Sequence, residues 1–186
     1  LYSACREAAR YYVRNLLGEQ GEAARQYLIR RGINASAVKA FGLGYALPGW
    51  ENLAQYMEQK GVSPETLVEA GLAIRGKQGR IYDAYRDRII FPIISANGRV
   101  LGFGARTMGD DTPKYLNTGD TPIFNKRYNL YGLNLQRGKR PGDLIMVEGY
   151  MDVVRLYEGG VTNAVASLGT CLLYTSPSPR DTERSR

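Results

Sequence analysis

Apolar residues recur at helical spacing through roughly the first seventy positions, then give way to the alternation and continuous runs that strands use. Cys5, Ala8, Tyr12 and Leu16 share one face of a helix predicted over residues 1–17. Residues 22–31 predict a second helix closed by Gly32, and Asn34 stands as the N-cap of a third that ends near Phe41. The stretch GLGYALPGW predicts a short strand and a turn, and residues 50–60 another helix. Ser63-Pro64-Glu65 supplies an N-cap with proline at the first helical position, and Gly71 ends that helix.

In the second half, RDRIIFPIISANGRVLGFGAR holds two β-rich runs joined by Asn97-Gly98, the dipeptide that supplies positive φ at both centres of a type I′ hairpin turn. A polar stretch rich in Gly, Pro and Thr covers residues 108–125, a short helix is predicted over 129–136, and RGKRPGD reads as a loop between subdomains. From Leu144 a strand, a helix and a second strand over 163–166 follow one another, which implies a parallel βαβ unit. The run Leu-Ile-Met-Val at 144–147 has the pattern of a buried strand. The fold class is therefore α/β: a mixed α+β N-terminal part followed by the start of a Rossmann-like parallel unit. The last sixteen residues, CLLYTSPSPRDTERSR, break every earlier pattern and are expected to be disordered.

A chain of 186 residues fits one domain or two small ones and can bury a core of its own. Its two cysteines lie at opposite ends and it has no histidine, which excludes a disulfide framework and a Cys/His zinc site. Cys5 and Cys171 read as buried or idle thiols in a reducing compartment. No stretch approaches the ~18 uninterrupted apolar residues of a membrane span, and no basic segment followed by an apolar one opens the chain, so the expectation is no membrane and a cytoplasmic location. The chain starts at Leu1, directly on a helical pattern, and is expected to be a piece of something longer. Net charge is +7, of which the last sixteen residues supply one unit (Arg180, Arg184 and Arg186 against Asp181 and Glu183). The basicity of the main body points to a polyanionic partner.

Ligands of open parallel sheets gather beyond the carboxyl ends of the strands, which is where Glu148 stands. Asp152 follows in the first turn of the next helix, where it either lies beside Glu148 or complements the helix N-terminus. An acid closing so apolar a run suits a hard cation with oxygen ligands and phosphate chemistry. Ser167 to Thr170, SLGT, is either a turn that approaches a phosphate or a plain connection. Arg99 and Arg106 flank the second strand of the hairpin; Lys114, Lys126 and Arg127 follow, interleaved with Tyr115, Phe124 and Tyr128. Cations tracking a backbone beside aromatic faces suit a single-strand groove; the alternative is a solvated basic face over core aromatics.

The runs RDRIIFPIISANGRVLGFGAR, DTPKYLN, IFNKRYNLYGL and VEGYMDVVRLYEGGVTNAVASLGT, in that order, resemble the catalytic core of the bacterial replicative primases of the DnaG type, and ARQYLIRRG with GLGYALPGW resembles the segment before it. The likeness covers residues 1–170. EGYMDV alone is shared by several Toprim proteins, whereas TPKYLN and GFGAR narrow the choice. The resemblance implies a DNA-dependent RNA polymerase that lays short RNA primers, from nucleoside triphosphates, on a single-stranded DNA template. It implies an N-terminal subdomain over residues 1–140, a truncated start of a Toprim domain over 143–170, and a non-native tail over 171–186.

On the same resemblance Glu148 is an acidic catalytic or metal-site residue, with Asp152 in the same motif, and Arg31, Arg106, Lys114, Tyr115, Lys126 and Arg127 fall at positions that contact template or nucleotide. The implied cofactor is magnesium or manganese; zinc would belong to an upstream domain, and the replicative helicase would bind through a C-terminal domain, both outside this sequence. Such primases continue past SLGT to an Asp-x-Asp strand that supplies most metal ligands, whereas here the match stops at Thr170 and LLYTSPSPRDTERSR looks like translated linker. The chain alone is thus expected not to polymerise. Two other readings stay open: a single-strand binding module without catalysis, and another Toprim enzyme, a nuclease or a topoisomerase using one of the fourteen tyrosines.

Overall fold

A computed structural model of the protein describes residues 1–138 and 142–168. The helical half forms α1 (Tyr2–Leu17), α2 (Glu22–Arg30) and α3 (Ala35–Phe41), then strand β1 (Gly44–Ala46) and helices α4 (Asn52–Gln59) and α5 (Pro64–Glu69). The caps are where the sequence puts them. Asn34 Oδ1 accepts from Ser36 N at 2.7 Å, and Ser63 Oγ accepts from Thr66 N at 3.3 Å. Past α2, Gly32 adopts φ +74° and Ile33 N reaches back to Leu28 O at 3.0 Å, which satisfies the last carbonyls of the helix.

Two short strands, β2 (Ala73–Arg75) and β3 (Ile81–Asp83), form an antiparallel hairpin. The predicted long hairpin follows as β4 (Arg88–Ile94) and β5 (Val100–Thr107), but its turn is not type I′. Only Gly98 has positive φ, at +80°; Asn97 does not. Gly98 N donates to Ser95 O at 2.8 Å and Ser95 N to Arg99 O at 2.9 Å, so the loop holds three residues and ends in a left-handed glycine. Three-residue hairpin loops commonly close this way, and one extra loop residue relieves Asn97 of the left-handed conformation.

Strand β6 (Tyr115–Asn117) lies inside the stretch read as polar loop, and the four-stranded sheet runs β1-β4-β5-β6. Both of its faces are covered, which is why β4 reads Arg-Ile-Ile-Phe-Pro-Ile-Ile rather than alternating. Tyr45, Ile89, Phe91 and Ile93 point to one apolar cluster with α2 and α3; Ala46, Ile90, Phe103 and Ala105 point to the other, with α1, α4 and α5. At Gly44 an added Cβ would overlap Tyr12, so this glycine lets α1 settle against the sheet. Cys5 is buried between α1 and β5, and burial pushes its thiol up to about 11, an inert structural cysteine; Cys171 lies outside the described residues.

The helix predicted over 129–136 is instead a strand, β7 (Leu130–Tyr131), and a 3-10 turn (Leu133–Gln136), divided at Gly132, whose φ of +85° no helix continues through. Then come β8 (Ile145–Val147), α6 (Tyr150–Glu158) and β9 (Ala164–Ser167), with β8 and β9 parallel as predicted and β7 antiparallel to β9, in the order β7-β9-β8. The apolar run in β8 is not buried: Leu144, Ile145 and Met146 are exposed, because β8 is an edge strand of the sheet formed by the described residues. Helix α6 completes the cluster of α2 and α3. Glu158 at its end accepts hydrogen bonds from the backbone and side chain of Asn34, which ties it to the cap of α3.

Helix α4 has no cap from its own sequence. Asp83 of β3 supplies one, accepting from Leu53 N at 2.8 Å and Ala54 N at 2.9 Å while almost wholly buried. Burial raises its carboxyl to about 6 against the two amide hydrogen bonds that lower it. The folded protein therefore holds this proton more tightly than the unfolded chain. The protonated form's contribution to stability is full below about 3.9 and is lost as pH rises through about 6. Urea melts at closely spaced pH values should show stability falling over that window relative to Asp83→Asn, in which the slope disappears.

Candidate functional site

The carboxyl edge of the small sheet gathers several of the sequence candidates. Val147 of β8 pairs with Ala166 of β9, so Glu148 stands level with Ser167, which pairs across the centre strand with Leu130 of β7. The 3-10 turn Lys126–Tyr128, just before β7, therefore sits at the same edge as Glu148. Phe124 anchors this turn in the core, Asn125 Oδ1 accepts from Arg127 N at 2.9 Å, and Asp120 Oδ1 accepts from Lys126 N at 3.2 Å. Arg127 is exposed and Tyr128 is 84% exposed. Being buried, Phe124 is a core aromatic, the second of the two readings its sequence allowed, and not a stacking face; Tyr128 is the ring that faces water.

A second group is linked side chain to side chain. Arg31, at the end of α2, lies 5.3 Å over the Tyr27 ring. The Tyr27 hydroxyl accepts from Arg106 Nε at 2.7 Å, and Arg106 Nη1 donates to the Tyr115 hydroxyl with its guanidinium 4.9 Å over that ring. Arg106 and Tyr115 are cross-strand partners on β5 and β6. Burial pulls the guanidinium of Arg106 down, but the two phenols more than offset this and it ends above its ordinary value. Burial likewise raises Tyr115, Arg106 lowers it, and the Asp152 carboxylate is near enough to add to the rise. Arg31 and Arg106 are thus joined through Tyr27, a residue the sequence reading did not single out, and Asp152 enters the same neighbourhood through Tyr115.

The geometry that joins the two groups comes from glycine. At Gly104 an added Cβ would overlap the Tyr150 ring, so its absence lets the first residue of α6 lie flat on β5. Tyr150 stacks 5.6 Å from Phe91, meets Tyr115 edge-on at 6.2 Å, and donates from its hydroxyl to Asn117 Oδ1 at 2.6 Å. Tyr150 therefore fixes where Glu148, two residues before it, and Asp152, two after it, stand relative to Arg106 and Tyr115. Neither Tyr150 nor Asn117 was assigned a role from sequence, although both lie in quoted motifs.

Lys114 is exposed, on a backbone held from both sides: its carbonyl accepts from Thr107 N at 3.1 Å, and the buried Arg88 donates to Pro113 O at 2.9 Å and Lys114 O at 3.4 Å. Arg99 stands apart, at the hairpin end of β5, with its guanidinium 4.9 Å over Tyr2. Gly169 and Thr170 of the SLGT turn lie outside the described residues, as does the C-terminal tail.

Glu148 and Asp152 are exposed, and Glu148 has no hydrogen-bond or ion-pair partner among the described residues. No group of three or more acidic, histidine or cysteine side chains stands close enough to hold a metal among those residues. Two free carboxylates still fit a magnesium-like ion, which is commonly held by one or two carboxylates with water and substrate phosphates completing its shell. No helix of the described residues is long and apolar enough to cross a membrane.

The family described as DNA primase catalytic core, N-terminal domain, matches residues 11–137, and the Toprim domain family matches residues 142–183. A DNA primase of Clostridium acetobutylicum is 47% identical over 173 residues, 92% of this chain and 28% of that protein. The DNA primase of Escherichia coli K12 is 44% identical over 162 residues, 86% of this chain and 28% of that protein. A structure of the DnaG primase catalytic domain bound to single-stranded DNA superposes with a TM-score of 0.86 at 43% identity, over 91% of this chain and 55% of that one. The RNA polymerase domain of Mycobacterium tuberculosis primase DnaG, in complex with a double-stranded DNA oligomer with a 6-nucleotide overhang, superposes with a TM-score of 0.83 at 36% identity, over 98% and 57%. The chain thus spans a little over a quarter of the curated relatives it matches.

Proposed function

Starting from the fact that the chain belongs to the DnaG-type DNA primase family, we propose that it carries the template-binding surface and part of the metal-binding edge of an RNA primer polymerase acting on single-stranded DNA. The observation that carries this reading is the level placement of Glu148 and the Lys126–Tyr128 turn at one sheet edge, against the Arg31, Arg106, Tyr115 neighbourhood.

A bound magnesium or manganese ion would supply charge neutralisation between a primer 3′-hydroxyl and the α-phosphate of a nucleoside triphosphate. Glu148 would hold that ion, with Asp152 beside it. Lys114, Lys126 and Arg127 would neutralise template phosphates, and Tyr128 offers its face to a base. Arg31, at the surface, would reach phosphate directly. Arg106, 6% exposed and spending two donors on phenols, would act as a positioning residue that holds Tyr27 and Tyr115 and adds positive potential beneath them. The nucleotides and a replicative helicase belong to the proposal as partners of the longer protein.

The test is affinity for an oligothymidylate as a function of salt. Each phosphate contact contributes about 0.7 to the log–log slope for single strands, so Lys114→Ala and Lys126→Ala should each flatten the slope by roughly that amount and weaken binding whatever the template sequence. A slope unchanged in both variants would return these lysines to ordinary surface charge and remove the template surface from this face. Because no group of three or more metal-ligating side chains gathers among the described residues, a second reading, a binding module without synthesis, predicts the same slopes with no magnesium-dependent ribonucleotide incorporation.

A further inference from the structure

On the face of the four-stranded sheet opposite α6, a groove of about 680 Å³ runs between α1 and the β4–β5 hairpin. Its floor is aliphatic, with Val13, Leu17, Ile94 and Val100 among its residues, and no aromatic ring lines it. Leu17 is 64% exposed and continuous with this floor, so the apolar surface opens to water there. Along the rim stand Arg6, Arg10 and Arg14, one helical turn apart, over about 12 Å of helix.

These cations are poorly neutralised. Among the described residues Arg6 has no ion pair, Arg10 makes a single exposed contact to Glu7 at 3.5 Å, and Arg14 lies 4.7 Å over the Tyr56 ring. The combination is selective. An apolar floor under a one-sided row of cations matches a segment with aliphatic side chains on one face and carboxylates on the next, and it repels a basic one. A single-stranded nucleic acid would want rings to stack on, and this groove has none: the exposed Tyr128 is not among the residues that line it. Nor do residues 169–186 fit: they carry Arg180, Arg184 and Arg186 against Asp181 and Glu183, and so match the rim in sign.

We propose that this groove docks an acidic, aliphatic peptide segment of a partner protein, with its leucine-like side chains on the floor and its carboxylates against Arg6, Arg10 and Arg14. The site is separate from the edge that holds Glu148, so docking and template binding would proceed together.

The experiment is fluorescence anisotropy of a labelled amphipathic peptide of about four helical turns, made of Leu, Asp and Glu at helical spacing, titrated with the 186-residue chain. Saturable binding is expected, weakened at least about tenfold both by Arg6→Gln with Arg10→Gln and by Leu17→Asn. All of these side chains are exposed, and thermal melts of the variants should match the parent. The same peptide with Lys in place of its acids should not bind. The proposal is overturned if the acidic peptide binds more weakly than about 100 µM, if the variants bind it as the parent does, or if oligothymidylate displaces it in direct competition.

Discussion

Glu148→Gln is expected to lower templated primer synthesis by about 10²- to 10³-fold, the loss seen when one charge-stabilising group is removed from a transition state. The measurement belongs in the polypeptide extended to the length of its relatives, with synthesis followed against magnesium concentration. Glutamine keeps the shape of glutamate and loses its charge. Because Glu148 is exposed and unpaired among the described residues, the change strands no partner and should leave stability within about 0.5 kcal/mol. Half-saturating magnesium should rise about tenfold or more, since even residues that only support a metal ligand cost 10- to 100-fold when lost. Affinity for single-stranded DNA should stay within about twofold, because the proposed phosphate contacts come from other residues. Full activity at unchanged magnesium demand would remove Glu148 from the metal site and leave the binding-module reading in its place.

Tyr150→Ala should cost about 3–5 kcal/mol, as large-to-small changes of buried aromatics do, which for a chain of 186 residues lowers Tm by roughly 6–20 °C. The ring lies between β5 at Gly104, Phe91 and Tyr131, so its loss opens a cavity among these groups. Tyr150→Phe should cost only about 1 kcal/mol, the hydrogen bond to Asn117. The contrast separates packing from polarity. If the ring only filled space, Phe would restore function along with stability; if its hydroxyl also orients β6, Phe should be stable and still raise the template Kd through Lys114 and Tyr115. Urea melts and DNA titrations on the two variants distinguish these outcomes. Equal stability of Ala and parent would mean that α6 is not seated as described.

Much of the fold is legible in local sequence because the deciding interactions are local. Asn34 and Ser63 cap helices with amides two or three residues away, and Gly32 ends one helix by its own φ. The hairpin of β4 and β5 is read from its residues, while its turn is misread because Asn97-Gly98 serves a two-residue and a three-residue loop equally well. What escaped is decided at a distance. Asp83 caps a helix thirty residues earlier, and nothing around it announces that. Strands β2, β3 and β6 have three residues each, too few to show a period, and exist because a neighbouring strand lies ready. At the site, the charge pattern named Arg106 and Tyr115, the strand tip Asp152 and the resemblance Arg31, all without their connection, since Tyr27, beside Arg31, reaches Arg106 across seventy-nine residues. The exposure of β8 was hidden because an apolar run looks the same on an edge strand as inside a sheet.

The tie between Asn34 and Glu158 has a consequence for how the chain is made. The two residues are 124 positions apart, and the cluster they close includes α2 and α3 from one end of the chain and α6 and β9 from the other. At about 5–20 residues per second, a ribosome needs roughly 6–25 s to carry synthesis from the first to the second. Through nearly all of that interval Phe41 has no α6 to cover it, and Phe91 joins it partway, so the nascent chain exposes apolar surface for long enough to engage a chaperone before it can engage itself.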